Sequence, residues 1–544
     1  MSTVNPRRWW ALVVLAAAQF MVIMDTSIIG VALPEMQKDL GFSQSELQWI
    51  FNAYVIVFGG LLLLGGRLSD LVGARKIFVA GWAVMIAGSV LAAAAQTAWV
   101  EIAGRAVQGV GGALIAPSAM TLLMILFMHD PKELGKAMAL YGAAAPAGGT
   151  AGVFLGGVFT EWMSWQWVFI IYIPIGLATL AATKLLPNVE SRRGSVDILG
   201  AVAVTAGLAL AVFAVVRAPE VGWGSTGTIV QLIGAAALLV LFFVIQKSIS
   251  EPLMPLSVWR VPRLGSANLA MTLLGAAWIP MWYFLNLYLQ QVLGFGAFES
   301  GAALLPMTVL LMIFMTAITA RLMMKVGAKP LIAGGLLVLA AGLVWLAAVP
   351  PTGSFLVDVL PASLVAALGM SLAYIPTMMT AMSGAPQEQA GLASGIVNTT
   401  YNVGSALGLA ALTAVAMSQG ADQLGNLPKL TDGFSSAFVG AAIIAAVGGV
   451  VTPLVMKSDK AVAGAPAPAP EGEKGPGRST VSSPSSCPVA ASTASTSTGS
   501  PTSPVRSSWK ASSRGRSRSN ATPSRVRPHQ ACMSLTEAGP KAPR

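Results

Sequence analysis

The sequence predicts an all-α protein that crosses a membrane about fourteen times, and three observations carry that prediction. Of its 544 residues, 55% are hydrophobic and only 10% charged, with mean hydropathy +0.71, whereas soluble domains carry roughly 25% charged residues. Apolar runs close to the ~20 residues that cross ~30 Å of hydrocarbon recur from Trp9 to Met456. Basic residues favour alternate loops. About eighteen Lys and Arg, including Arg7, Arg75, Lys76, Lys132, Arg192, Arg193, Arg260, Arg263, Lys325 and Lys457, fall on one side, against about three, Lys38, Arg217 and Lys429, on the other. By that bias both termini are expected to be cytoplasmic in a multi-pass cell-membrane protein.

The first run, 9–33, follows Arg7 and Arg8, yet it is longer than the apolar core of a secretory signal, and further runs follow at once. The remaining runs are 47–66, 77–97, 99–126, 138–159, 167–186, 197–216, 226–247, 265–290, 301–321, 331–349, 357–382, 391–417 and 434–456. From Ala461 onward the chain is mostly Pro, Ala, Ser, Thr and Arg, a composition that buries no core and predicts disorder. Thirteen basic and four acidic residues follow Val455, so about +9 of the net +11 belongs to this tail. The membrane body is nearly neutral, and no nucleic-acid partner is expected.

Cys487, Cys532 and His529 lie in the tail and His129 in a loop, so no metal site, cofactor site or Cys/His catalytic centre is expected within the membrane. No Gly-x-x-x-x-Gly-Lys-Ser/Thr loop for ATP is present. An enzyme or an ATP-driven pump is therefore disfavoured.

An internal repeat organises the runs. The segment from Gly66 to Lys76 after the second run is echoed by the segment from Ala320 to Pro330 after the tenth. Arg67 pairs with Arg321, Leu68 with Leu322, Gly73 with Gly327 and Arg75 with Lys329, while Asp70 faces Met324. Such an echo indicates a duplicated transporter, with runs 1–6 and 9–14 equivalent and runs 7 and 8 inserted. The expected division is 1–190, a six-helix bundle; 191–260, two additional helices with linkers; 261–457, a second bundle; and 458–544, the tail.

The segment Gly66-Arg-Leu-Ser-Asp-Leu-Val-Gly-Ala-Arg-Lys76 resembles the cytoplasmic motif A of the major facilitator superfamily, with Gly66, Leu68, Asp70, Gly73, Arg75 and Lys76 matching. Three further segments resemble its fourteen-span drug:proton antiporter branch. Asp25-Thr-Ser-Ile-Ile-Gly-Val-Ala-Leu-Pro34 is similar to the first-span motif, with Gly30 in place of a usual Asn. Arg105-Ala-Val-Gln-Gly-Val-Gly-Gly-Ala113 resembles motif B, whose arginine the family associates with proton coupling. Gly148, Gly152, Gly156 and Gly157 resemble motif C, with Val153 where a proline usually stands. The resemblance covers Trp9 to Met456 and implies the major facilitator fold of two six-helix bundles plus two inserted central helices. It also implies export of hydrophobic drugs, antibiotics or related metabolites in exchange for protons, by a protein that works as a monomer.

The residues themselves suggest roles beside that resemblance. Asp25 reads as the sole acid well inside a run, where an ionised carboxylate costs on the order of 2.5–3.5 kcal/mol. At ~1.5 Å per residue it lies about 12 Å below the outer end of its run and Arg105 about 9 Å below that of the fourth, so the two share a depth. They form either the proton-coupling site or a static ion pair. In motif A, Gly73 permits a tight reversal, and Arg67, Asp70, Arg75 and Lys76 are expected to pair across the bundles and gate that face. Gly148, Gly152 and Gly156, four apart, make one smooth face, read either as a pivot against the opposite bundle or as a fixed seam. Trp278, Trp282 and Asn286 share one face, as do Tyr374, Met378 and Met382; these are substrate-pocket candidates or ordinary lipid-facing and packing residues. Asn398 and Asn402 keep open a carrier for a small polar metabolite, and a channel is a further alternative.

Overall fold

Fourteen helices long and apolar enough to cross a membrane follow one another through the described chain, which in this computed structural model comprises residues 7–128, 130–188, 195–249, 251–254, 256, 263–383 and 390–456. They are α1 (Arg8–Leu40), α2 (Trp49–Val72), α3 (Ala74–Ala93), α4 (Ala98–Phe127), α5 (Glu133–Trp162), α6 (Trp167–Leu185) and α7 (Ile198–Ala218), then α8 (Thr226–Ser248), α9 (Leu264–Val292), α10 (Ala297–Val326), α11 (Ala328–Ala347), α12 (Phe355–Met382), α13 (Ala393–Ser418) and α14 (Leu427–Val455). His129, Arg192, Arg193, Arg260, Lys457 and the tail lie outside the described residues. The chain is a multi-pass membrane protein of the expected all-helical class.

Glycine-lined contacts set both the direction and the pairing of the helices. Gly148, Gly152 and Gly156 of α5 meet the backbone of α1 at Phe20, Met24 and Ile28, so these two helices run parallel. Gly275 of α9 meets Tyr401, and Gly404 and Gly408 of α13 meet Thr272 and Ala276, a second parallel pair. Gly81 and Gly88 of α3 face Gly111 and Gln108 of α4 in antiparallel order, as Gly335 and Gly342 of α11 face Gly369 and Ala366 of α12. Each pair in the first set recurs eight helices later, so the sequence repeat is also a repeat of packing. Small residues serve here because lipid supplies no hydrophobic drive between helices, and close backbone approach must supply the attraction.

Two seams join the halves, α5 against α10 and α2 against α13, and they too are equivalent under the repeat. The inserted α7 pairs with α8 and rests on α2 and α13. Only 17% of the most apolar stretch of α8 is buried, against 72% for α9. A helix bathed in lipid must be apolar all round, whereas one enclosed by protein has room for polar side chains.

The repeated segments match in backbone as well. Gly73 and Gly327 both adopt left-handed φ, 107° and 92°, ending α2 and α10 and starting α3 and α11 one residue later. Motif A is thus no free loop: Gly66 through Val72 complete α2, and Arg75 and Lys76 open α3.

Candidate functional site

Asp25 on α1 and Arg105 on α4 meet inside the first bundle, both wholly buried. Arg105 Nη1 donates to Asp25 Oδ1 at 2.9 Å, and Nη2 lies 2.7 Å from Oδ2 as an ionic contact outside hydrogen-bond geometry. Nη1 also donates to Gln108 Oε1 at 2.6 Å and Nε to the Ile50 carbonyl at 3.0 Å. Gln108 in turn donates to Ser89 on α3 at 2.9 Å, and the Tyr54 ring of α2 lies 4.6 Å from the guanidinium carbon. Four helices therefore converge on one charge pair. Isolated in a low-dielectric interior either ion would cost several kcal/mol; paired and hydrogen-bonded, the two are tolerated. The shared depth read from sequence becomes direct contact because α1 and α4 pack together.

Glu101, four residues before Arg105 in the first turn of α4, is a second buried acid beside Asp25, near the end of its helix and not deep within it. It is also wholly buried, and neither carboxylate oxygen has a hydrogen-bond partner among the described residues. Sequence reasoning passed over it because it stands two residues inside the expected fourth run, where a rim position in water is normal. Its i,i+4 spacing from Arg105 was the available signal.

Around motif A the charges pair differently from expectation. Arg67 Nη2 contacts Glu251 Oε2 at 2.7 Å, from the linker after α8, and Arg75 bonds to Asn188 beyond α6. Asp70 and Lys76 are exposed, and Asp70 forms no ion pair among the described residues; Gly66 lies beside Pro117. The expected pairing across the two bundles is thus replaced by a clamp to the inserted helices, because that linker reaches the end of α2. The Ser195 backbone N–H, the Ser195 hydroxyl and Arg67 hold the Glu251 carboxyl below the usual carboxylate range. A depressed folded value means the clamp is complete above the ordinary carboxylate range and is lost as pH falls through the lowered one. Glu251→Gln is expected to lower the thermal midpoint in detergent at neutral pH, with the difference from wild type vanishing in acid. A gap that stays constant with pH would overturn the assignment.

The smooth face of α5 also meets a different partner from the expected pivot. Gly148, Gly152 and Gly156 lie against α1 of the same bundle, and Gly157 alone of the four crosses, touching Ala297 and Phe298 of α10. Val153 lies on that crossing too, its carbonyl facing Gly301. Glu161 accepts from the Phe298 N–H at the start of α10, and Trp162 stacks on Phe298 with centroids 4.9 Å apart.

Among the pocket candidates, Trp278, Trp282 and Asn286 are buried, and the indole Nε1 and the amide of the latter two converge on Gly30. Any β-carbon at Gly30 would lie about 3.0 Å from Asn286 Nδ2. The glycine thus makes room for α9. Trp282 Nε1 and Asn286 Oδ1 have no partner among the described residues, which leaves polar atoms at the junction of the two halves. Tyr374 packs edge-on to Tyr401 at 5.7 Å, Met378 contacts Ser394, and Met382 is half-buried. Asn398 and Asn402 donate to the carbonyls of Ser394 and Asn398, one turn back on their own helix, so one N–H of each amide is engaged locally.

At the face opposite the chain's beginning, three glutamines close a ring. Gln37 donates to Gln44 at 2.8 Å, Gln44 to Gln291 at 3.1 Å and Gln291 to Gln37 at 3.2 Å. Adjacent Gln290 donates to the Val31 carbonyl at 3.0 Å. Both residues occupy a wide π-turn, Tyr288–Val292, that ends α9. This ring and the α5–α10 seam tie the two halves together on that face.

Residues 15–409 match the family model described as Major Facilitator Superfamily. The chain is 38% identical over 450 residues to the cephamycin export protein CmcT of Amycolatopsis lactamdurans, covering 82% of this chain and 92% of that protein. It is 36% identical to the puromycin resistance protein pur8 of Streptomyces alboniger, covering 76% and 82%. It is 30% identical to the tetracenomycin C resistance and export protein of Streptomyces glaucescens, covering 82% and 84%. Among solved structures, the nucleoside transporter NupG superposes with TM-score 0.58 at 12% identity over 82% of this chain and 99% of that one, a likeness of fold alone.

Proposed function

The chain belongs to the major facilitator superfamily of membrane transporters, and from that premise we propose that it exports hydrophobic antibiotics or similar drugs from the cell in exchange for protons. The observation that carries the reading is the buried Asp25–Arg105 pair, a titratable carboxylate inside the bundle with no structural need that an apolar pair would not meet. Relatives named for cephamycin, puromycin and tetracenomycin C export or resistance support the substrate class. The basic-residue bias supports cytoplasmic termini, so the glutamine ring closes the outer face and motif A lies inside.

With Asp25 ionised, Arg105 holds α1 against α4. Protonation of Asp25 removes the ionic attraction and leaves Arg105 to Gln108, the Ile50 carbonyl and Tyr54. The helix that carries Asp25 also carries Gly30 and Gln37, so a change at the pair is felt at the junction with α9 and at the outer ring. Proton binding and the opening of one face are thereby linked through α1. The protein works as a monomer in this reading, with each copy holding a complete pair.

The test is a susceptibility panel in a bacterial host lacking its own pumps. Expression is expected to raise the inhibitory concentrations of puromycin and ethidium, and a proton uncoupler to abolish ethidium efflux. Unchanged susceptibility across apolar and cationic compounds would sink the substrate class.

The outer ring gives a separate expectation. Two of its three hydrogen bonds cross between the halves, so Gln291→Ala removes about 2 kcal/mol from the outer-closed state, roughly thirtyfold in the balance between faces. With Cys487 and Cys532 replaced by serine, a cysteine at the buried Ser300 is expected to react faster with an impermeant maleimide in the Gln291→Ala background. Equal labelling rates would show that the ring does not hold the face shut.

A further inference from the structure

We propose that Glu101 is a second proton-binding residue of the coupling site, holding the proton while Asp25 is ionised and releasing it when Asp25 becomes protonated; the inference rests on the proton-coupled reading above. The Asp25–Arg105–Glu101 cluster contains two carboxylates and one guanidinium. Arg105 commits both terminal nitrogens to Asp25, one of them shared with Gln108, and its Nε to the Ile50 carbonyl. Glu101 is wholly buried, and neither of its oxygens receives a hydrogen bond among the described residues. An ionised carboxylate in that position has no hydrogen-bond donor, and the cation nearest to it, Arg105, is already engaged by Asp25, a costly state for a buried acid. One proton per cluster removes the excess charge, and in this arrangement Glu101 is the group with nothing else to satisfy it.

The charged groups facing Glu101 are Arg105 on its own helix and Asp25 on α1. The Tyr54 and Tyr172 hydroxyls flank the pair from α2 and α6, directed at the Val22 and Met21 carbonyls. Glu101 and Arg105 are four apart on one face of α4, so a guanidinium that leaves Asp25 finds Glu101 one turn away. Because α4 begins at the outer face, Glu101 lies roughly 6 Å nearer that face than Arg105 by helical rise. A proton entering from outside therefore meets Glu101 first.

The step balances without any further reactant. The O–H bond of Glu101 breaks, the proton passes to Asp25 where a new O–H bond forms, and Arg105 transfers its ionic contact from Asp25 to Glu101. Charge within the cluster is unchanged throughout. Inward release from Asp25 and reloading of Glu101 from outside then complete one proton's passage.

The experiment uses the full chain in inverted membrane vesicles with ethidium as probe, scoring the ratio of uptake driven by an imposed pH gradient to ethidium exchange without one. Glu101→Gln, which mimics the protonated carboxyl, is expected to reduce that ratio to the value of Asp25→Asn, and Glu101→Asp to recover part of it. In parallel, wild-type protein is treated with dicyclohexylcarbodiimide, which modifies protonated carboxyls in apolar surroundings, and the modified peptide is mapped by mass spectrometry. Modification of Glu101 at neutral pH is expected. A wild-type ratio in Glu101→Gln, or an unmodified Glu101, would overturn the proposal. Wild-type vesicles that exchange ethidium yet ignore the pH gradient would instead defeat the proton-coupled reading, and the carbodiimide arm would still decide whether Glu101 binds a proton.

Discussion

Asp25→Asn is expected to abolish proton-driven export while leaving a folded protein. Asparagine keeps the size of the side chain and one oxygen for Arg105 Nη1, but it carries no charge and does not titrate. Removing one partner of a buried ion pair commonly costs about 3–5 kcal/mol, because the other charge is left uncompensated. Here Arg105 retains Gln108, the Ile50 carbonyl and the face of Tyr54, and Glu101 is one turn away to share the charge, so the loss should fall at the low end. The reverse substitution, Arg105→Ala, strips two acids of their cation and should be the more damaging to folding. In vesicles carrying Asp25→Asn, substrate-induced proton release and pH-dependent ethidium transport are expected to fall to the level of vesicles without the protein. Undiminished proton release in that variant would rule Asp25 out as the coupling residue and reduce the pair to a structural one.

Gly148→Ala is expected to be almost as severe, through packing alone. A β-carbon there would lie 2.3 Å from the Phe20 carbonyl oxygen and 3.1 Å from its carbon, backbone atoms that no rotamer change moves aside. Overpacking of this kind costs about 1–3 kcal/mol, and the relief available is displacement of α1, the helix that carries Asp25. The same substitution at Gly142, on the same helix, meets nothing within 4 Å and should be neutral or slightly stabilising. Thermal unfolding in detergent and ethidium efflux, measured together, separate the two: Gly148→Ala should lower both, Gly142→Ala neither. Equal behaviour of the two variants would mean that the α1–α5 contact is slack and that the glycine face has no bearing on the ion pair.

The membrane spans were legible because insertion is decided locally. Each segment's transfer into lipid depends on its own side chains, so fourteen apolar runs became fourteen helices, with shifts confined to their ends. The reversal at Gly73 and its echo at Gly327 were equally legible, since a left-handed backbone angle selects glycine wherever it occurs. Asp25 and Arg105 stood out for a related reason, a charge placed where the bilayer penalises it.

What one helix does with another was not legible. The motif C glycines announced a smooth surface but not whether α1 or the opposite half would lie on it, because a row of small residues is complementary to almost any backbone. Arg67 showed that motif A was charged, yet its partner Glu251 stands 184 positions away on the linker of an inserted hairpin, and nothing in either segment names the other. Nothing in the sequence sets Gln37, Gln44 and Gln291 together; packing closes them into a ring. Glu101 passed for a rim residue because its burial is conferred by neighbouring helices, not by its own position in the run. The sequence by itself therefore determined which segments enter the membrane, where they turn and that Asp25 lies deep in one of them, since each of those is a free energy of one segment against water or lipid. Only the tertiary structure decided which of those groups touch, because contacts between helices of similar composition differ by small packing and hydrogen-bond energies that are set when all the helices are in register together.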